Sequence, residues 1–148
     1  MNFRRLVKTV NTKNYKLEMI EPIKLYAQYN PERFNLWESL HLGSKKKVLN
    51  MIFSPHYRFL VNREDEAYYK LQRMFGRNNK WIRNKTEKFL SVYEDIKQNG
   101  FTENLMVLKT PLVKNKYNKG FEIFEGHHRT AIALFLNIKE IPCDIINN

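Results

Sequence analysis

The sequence predicts an α+β fold: one compact domain with a small mixed β-sheet and several helices. Three observations point there. Apolar residues between Asn79 and Gln98 recur near the 3.6-residue spacing of a helix. Short alternating or apolar runs suited to strands lie towards both ends of the chain, at 16–20, 105–108, 121–124 and 141–145. A length of 148 residues with 43% hydrophobic and 14% aromatic content is enough to bury a core without disulfide or metal staples.

Taken in order, Lys16-Leu17-Glu18-Met19-Ile20 alternates weakly and reads as a first strand. Pro22 then excludes a regular central strand across Glu21 to Leu25. Asn30-Pro31-Glu32 has the order of a helix start: a capping Asn, a Pro at the first helical position, an acid in the first turn. That helix is expected to reach about Leu42, with Phe34, Trp37 and Leu40 or His41 on one face, and to stop at Gly43. Ser44-Lys45-Lys46-Lys47 reads as a basic turn and Ser54-Pro55-His56 as a second break.

Asn62 is expected to cap a helix with Glu64, Asp65 and Glu66 in its first turn, where the helix dipole favours acids. Tyr68, Leu71, Met74 and Phe75 supply its apolar positions, and Gly76 ends it. The longest helix, about Asn79 to Gln98, places Ile82, Phe89, Val92, Tyr93 and Ile96 on one face and closes at Asn99-Gly100. From Asn104 the pattern becomes strand, basic loop, strand, turn, helix, strand. Residues 40–85 read as a helical insertion of unknown role.

The net charge is +11, from 26 Lys and Arg against 15 Asp and Glu. Such an excess raises affinity for any polyanion without choosing among them. A Lys- and Asn-rich composition is also what an AT-rich genome imposes, so part of the charge is a solvated surface. Arg73, Arg77, Lys80, Arg83, Lys85 and Lys88 interleave with Phe75 and Trp81, a pattern that suits a nucleic-acid backbone and a stacked base. The same pattern arises when the aromatics pack inward and the charges solvate the surface. No apolar run approaches the ~20 residues of a membrane-spanning helix, and the N-terminal stretch has no continuous apolar core of a secretory signal. Cys143 is the one cysteine and cannot form an internal disulfide, which fits a reducing compartment. A cytoplasmic protein with no membrane partner is the expectation.

Chemistry concentrates in Glu125-Gly126-His127-His128-Arg129, between a strand-like run and the helix-forming segment from Thr130 to Leu136. Gly126 permits a tight turn there. The following helix would present unpaired N–H groups at its N-terminus beside two imidazoles and a guanidinium, an arrangement suited to phosphate. Lys109, Lys114, Lys116 and Lys119 flank the preceding loop and would steer an anion towards the turn.

The segment Phe121 to Ile146, FEIFEGHHRTAIALFLNIKEIPCDII, resembles the end of a ParB/sulfiredoxin-like domain, with the best match over 96–146. In that family a strand, a Gly-X-X-Arg turn, a helix and an Ile-Pro-led strand build a nucleotide-phosphate pocket. The resemblance implies that Arg129, His128, Thr130 and the Gly126 backbone hold phosphate. The branch of ADP-dependent free serine kinases has the most similar motif, Asp-Gly-His-His/Thr-Arg. By that likeness Glu125 is a candidate Mg²⁺ ligand, the alternative being an exposed strand-end glutamate. Glu32, or else Glu21, is the candidate base, although Glu32 also serves as a helix-cap acid. His56 is a candidate to line the same pocket or a plain loop residue.

The departures narrow the reading. Chromosome-partitioning ParB proteins carry Gly-Glu-Arg-Arg, and His127 and His128 stand at its second and third positions. No helix-turn-helix follows, so a full partitioning protein is not expected. Sulfiredoxins carry Gly-Gly-Cys-His-Arg, and His127 stands in place of the cysteine, which removes the thiolate chemistry. His127 is therefore carried, with Glu32, as a candidate catalytic group. The expected function is nucleoside di- or triphosphate binding, with Mg²⁺, for phosphoryl transfer to a small hydroxyl acceptor or for hydrolysis. The alternatives are a DNA-binding or nuclease-type ParB-like protein and a non-catalytic scaffold of the same fold.

Overall fold

The computed structural model describes residues 15–29, 47–74, 76–110 and 120–147. The helix expected from Asn30, with Glu32 in it, lies outside the described residues, as do Phe75, Lys114, Lys116 and Lys119.

Six strands form one mixed sheet: β1 (Tyr15–Ile20), β2 (Leu25–Tyr29), β3 (Lys47–Asn50), β4 (Leu105–Leu108), β5 (Phe121–Glu125) and β6 (Ile141–Ile146). Their spatial order is β1-β6-β4-β5-β2-β3. β4 lies inside the sheet, parallel to β6 and antiparallel to β5, and β2 runs parallel to β5. Leu105 and Val107 of β4 are wholly buried, as expected for an apolar strand with neighbours on both sides. β1 pairs antiparallel with β6 and leaves Leu17 and Met19 exposed on alternate positions.

The described helices are α1 (Pro55–Val61), α2 (Ala67–Met74), α3 (Asn79–Asn99) and α4 (His127–Phe135). α4 is deeply placed, with Thr130 to Ala133 all buried. It ends as a left-handed cap: Asn137 has φ 55°, and the Ile138 N–H reaches back to the Ala133 carbonyl at 2.9 Å. α3 begins with Asn78 accepting from the Trp81 N–H at 2.8 Å and stops at Gly100. Ile82, Phe89 and Ile96 form its buried stripe at sevenfold spacing. Burying a side chain such as Phe89 stabilises the fold by about 1.5–3 kcal/mol.

The strands at 15–20, 105–108, 121–125 and 141–146, the helix at 79–99 and the helix after Gly126 all lie where the sequence predicts them. Three local expectations differ. Ser54-Pro55-His56 is a helix start, not a break: Ser54 caps α1 by accepting from the Tyr57 N–H at 3.0 Å, and Pro55 occupies the first turn. Asn62 caps only the turn that follows it, accepting from the Glu64 N–H. α2 starts later, with Asp65 Oδ1 accepting from the Ala67 N–H at 2.9 Å. Lys47, expected in a basic turn, opens the edge strand β3, paired with β2. The segment read as a helical insertion thus adds a strand to the sheet and packs α1 directly onto α4.

Asp65 ties α1 to α2. Its second oxygen receives the Arg58 Nε and guanidinium nitrogens at 3.1 and 2.9 Å. Asp65→Ala removes the cap and the fork together and is expected to cost about 1–2 kcal/mol. Urea unfolding checks this, and Asp65→Asn, which keeps the capping oxygen, should recover about half of the loss.

Candidate functional site

The strand-to-helix handover is built by one residue. Gly126 has φ 120° and ψ 28°, a backbone region that side-chain-bearing residues avoid. A Cβ placed there would meet Leu105 Cγ at 2.6 Å, so both conformation and space require glycine. The Gly126 carbonyl accepts from the Thr130 N–H at 2.9 Å and from Thr130 Oγ1 at 2.8 Å. Thr130 is fully buried and is spent on holding the turn; it does not line the cleft in front of it. Just before the turn, the β4–β5 register shifts, with Met106 opposite Glu125 and Val107 opposite Ile123, so the register passes over Phe124. Such a bulge bends the strand end and re-aims its side chains.

Helix geometry leaves the N–H groups of His127, His128 and Arg129 without intrahelical carbonyls. They stand at a cleft of about 490 Å³. Its far wall is α3, where Lys85, Lys88, Phe89 and Val92 share one face by their spacing of three and four residues. Phe101 and Phe124 add apolar surface, and Asp95, Glu103 and Glu125 add carboxylates. The cleft thus brings lysine ammonium groups, the N–H donors of a helix N-terminus, carboxylates and aromatic side chains together.

The two histidines of the turn sit with a third. His56, on α1, is 6% exposed and lies edge-on to His128, with ring centroids 4.5 Å apart. Its ring is roughly parallel to that of His127 at 6.3 Å. Phe89 also meets His128 edge-on, at 4.7 Å. His128 Nε2 is 3.0 Å from the Tyr68 hydroxyl, and Tyr68 is wholly buried on α2. The Nδ1 of His56 is buried and has no hydrogen-bond partner.

Burial is the main reason that all three rings resist protonation. It lowers His127 to about 4. Burial, then the charges of Lys85, His127 and Lys88, lower His128 to about 3. His56 is held well below the ordinary histidine value by burial and by the neighbouring histidines and Lys85. At neutral pH these are neutral imidazoles, and the positive charge facing the cleft comes from lysine and arginine. Burial pushes the Cys143 thiol up to about 12, in keeping with an inert strand residue.

Arg129 lies on the cleft wall with one guanidinium nitrogen engaged. Its Nη1 donates to the carbonyls of Glu103 and Asn104 at 3.2 and 3.3 Å, with the Glu103 carboxylate at 4.0 Å. Arg129 therefore anchors the loop entering β4 as well as lining the site. Glu125 is exposed at the strand end and also lines the cleft. Among the described residues, no three His, Cys, Asp or Glu side chains come together as a metal cage. Glu125 fits Mg²⁺ only in the mode where one carboxylate, water and phosphate oxygens complete the coordination.

Tyr68, Lys85 and Lys88 join the site in ways the sequence reading did not assign, and His56, a candidate to line the pocket, instead lies buried behind it against His128. The signal for His56 was Ser54-Pro55, a helix start that puts the next residue in a first turn. For the lysines it was their spacing around the buried Phe89. The basic stretch ahead of them is arranged differently. Arg77 covers the ring of the half-buried Trp81 at 4.2 Å, and Ile82, not Trp81, enters the core.

No helix of the described residues is long and apolar enough to cross a membrane. Compared with models of known protein families and with curated protein sequences, the chain matches none of them.

Proposed function

We propose that the cleft in front of Gly126 binds the phosphate groups of a nucleotide. The observation that carries this reading is the helix N-terminus opened by Gly126 onto a cleft also lined by Lys85 and Lys88. Backbone N–H groups and the helix dipole favour an anion at that end, and two ammonium groups from α3 add charge from the opposite wall. Phe89, Phe101 and Phe124 offer apolar contact to a base or sugar. The resemblance of the turn to ParB/sulfiredoxin-like domains supports the same ligand class.

The chemistry this arrangement suits is phosphoryl transfer to a small hydroxyl acceptor or hydrolysis, both of which depend on positioning and charge neutralisation. Glu125 is the residue that would hold Mg²⁺, which would neutralise phosphate charge. His127 and His128, neutral at pH 7, line the cleft and would hydrogen-bond the phosphate or reacting oxygens.

Calorimetric titration with ADP, ATP, CTP and GTP, with and without Mg²⁺, tests the proposal. Saturable binding strengthened by Mg²⁺ is expected. Lys88→Gln should weaken it about tenfold, the loss of one charge-assisted contact. Arg129→Ala should also weaken it, but that change releases the loop at Glu103 and is the less clean test. Absence of binding to all four nucleotides overturns the reading.

A second reading rests on exposed Arg73, Lys80 and Arg83 around the α2–α3 break: a nucleic-acid surface. There Arg77 already occupies one face of Trp81. DNA affinity that falls by orders of magnitude between low and moderate salt would favour it, since each phosphate contact releases counterions.

A further inference from the structure

We propose that Tyr68 is a positioning residue for His128: its hydroxyl donates to Nε2 and fixes the neutral ring as the Nδ1–H tautomer, so that Nδ1–H is the donor this imidazole offers to a ligand. The ligand part of this inference rests on the phosphate reading of the cleft. The tautomer part does not.

The geometry comes from four elements. α4 supplies His128 one residue into its first turn, and α2 supplies Tyr68, sixty residues earlier in the chain, with 3.0 Å between hydroxyl oxygen and Nε2. α1 and α3 supply His56 and Phe89, whose rings meet His128 edge-on at 4.5 and 4.7 Å and restrict its rotation. A residue packed on two sides and hydrogen-bonded at one nitrogen has a defined orientation before any ligand arrives.

The direction of the bond follows from chemistry. A neutral imidazole has one donor nitrogen and one acceptor nitrogen, and the partner of one decides the role of the other. The Tyr68 hydroxyl keeps its proton, because burial raises its pKa far above the ordinary value. A phenol hydroxyl is a strong donor and a weak acceptor, whereas an unprotonated imidazole nitrogen is a strong acceptor, so across the 3.0 Å contact the proton belongs to the Tyr68 oxygen and points to Nε2. Tyr68 and His128 then form a donor pair ending at a ring that lines the cleft. A neutral histidine thereby serves an anion site as a donor, with no imidazolium required beside Lys85 and Lys88.

The tautomer is read directly by nitrogen-15 NMR of the histidine rings at pH 7.5, with signals assigned by single substitutions of the other histidines. The expected result is Nδ1–H at His128 in the unaltered protein. In Tyr68→Phe it should shift towards Nε2–H, the form free histidine side chains favour. Nε2–H in the unaltered protein, or a tautomer indifferent to Tyr68→Phe, overturns the proposal; the first measurement needs no variant to fold. Titration of both proteins with ADP and Mg²⁺ is the second readout, with an expected loss of about tenfold in affinity for Tyr68→Phe. If the unaltered protein binds no ADP, the phosphate reading fails and the NMR result alone decides whether Tyr68 sets the tautomer.

Discussion

Gly126→Ala is expected to destabilise the protein by about 3 kcal/mol, with a fall in Tm of about 10 °C. Two independent costs combine. At φ 120° an L-residue is strained wherever its side chain goes, which costs about 1–3 kcal/mol. The new methyl group would also lie 2.6 Å from Leu105 Cγ and 2.9 Å from its Cδ2. Leu105 is wholly buried in β4, inside the sheet, so relief of the overlap must be passed on to the core around it. Gly100→Ala is the control: its φ is +75°, but nothing lies within 4 Å of the added atom. It should cost about 1 kcal/mol, from strain alone. Urea unfolding of both variants separates steric overlap from backbone strain, and equal losses would refute the contribution of Leu105. Any residual folded Gly126→Ala should also bind ADP poorly, because relief of the clash must move the helix N-terminus away from the cleft.

That one glycine explains why this part of the chain was legible from its letters. A strand of period two, a glycine and a run of helix formers are local signals, and each agrees with the tertiary arrangement around it. α3 was legible for the same reason: the stripe of Ile82, Phe89 and Ile96 and the closing Gly100 state its face and end, and the structure adds Asn78 as its cap. β2 and β3 were less so. β3 has four residues beginning at Lys47 and acquires its identity only by pairing with β2. β2 follows directly on a 3-10 turn started by Pro22, and the proline masks it.

The site was legible in its loop and hidden in its depth. Glu125, His127, His128 and Arg129 line one cleft and could be nominated together because they are consecutive. His56, which was nominated, and Tyr68, which was not, reach His128 from sequence positions 72 and 60 residues before it, through the packing of α1 and α2. Polar residues after a proline usually mark a surface turn, and here Ser54 turns the same letters into a helix start. Lys85 and Lys88 were visible as charge, but charge alone does not say which cations face a cavity. Their relation to Phe89 does, once Phe89 is known to be buried.

Neutral histidines packed beside lysines have a measurable consequence: the protein is expected to lose several kcal/mol of stability between pH 6.5 and pH 5. The folded pKa values lie below the unfolded value of 6.5, at about 4 for His127 and about 3 for His128, with His56 also well below. Above pH 6.5 neither state binds these protons, and stability is at its full value. As pH falls below 6.5 the unfolded chain takes up protons that the folded chain refuses, so stability declines by about 1.4 kcal/mol per pH unit for each such histidine. His127 and His128 keep some solvent contact, which reduces their share, and a total of about 4 kcal/mol by pH 5 is expected. Most carboxylates remain ionised above pH 5, so this window isolates the histidines. Urea unfolding at pH 8, 6.5 and 5 measures the slope, and a flat profile would contradict buried neutral rings. His56→Leu removes an unpartnered buried nitrogen at similar volume. It should be neutral or stabilising at pH 8 and shallower in slope by one histidine's share. ADP offers a further check on the cleft itself: negative charge against Lys85 and Lys88 offsets two of the causes that depress His128, so the slope should be shallower in its presence.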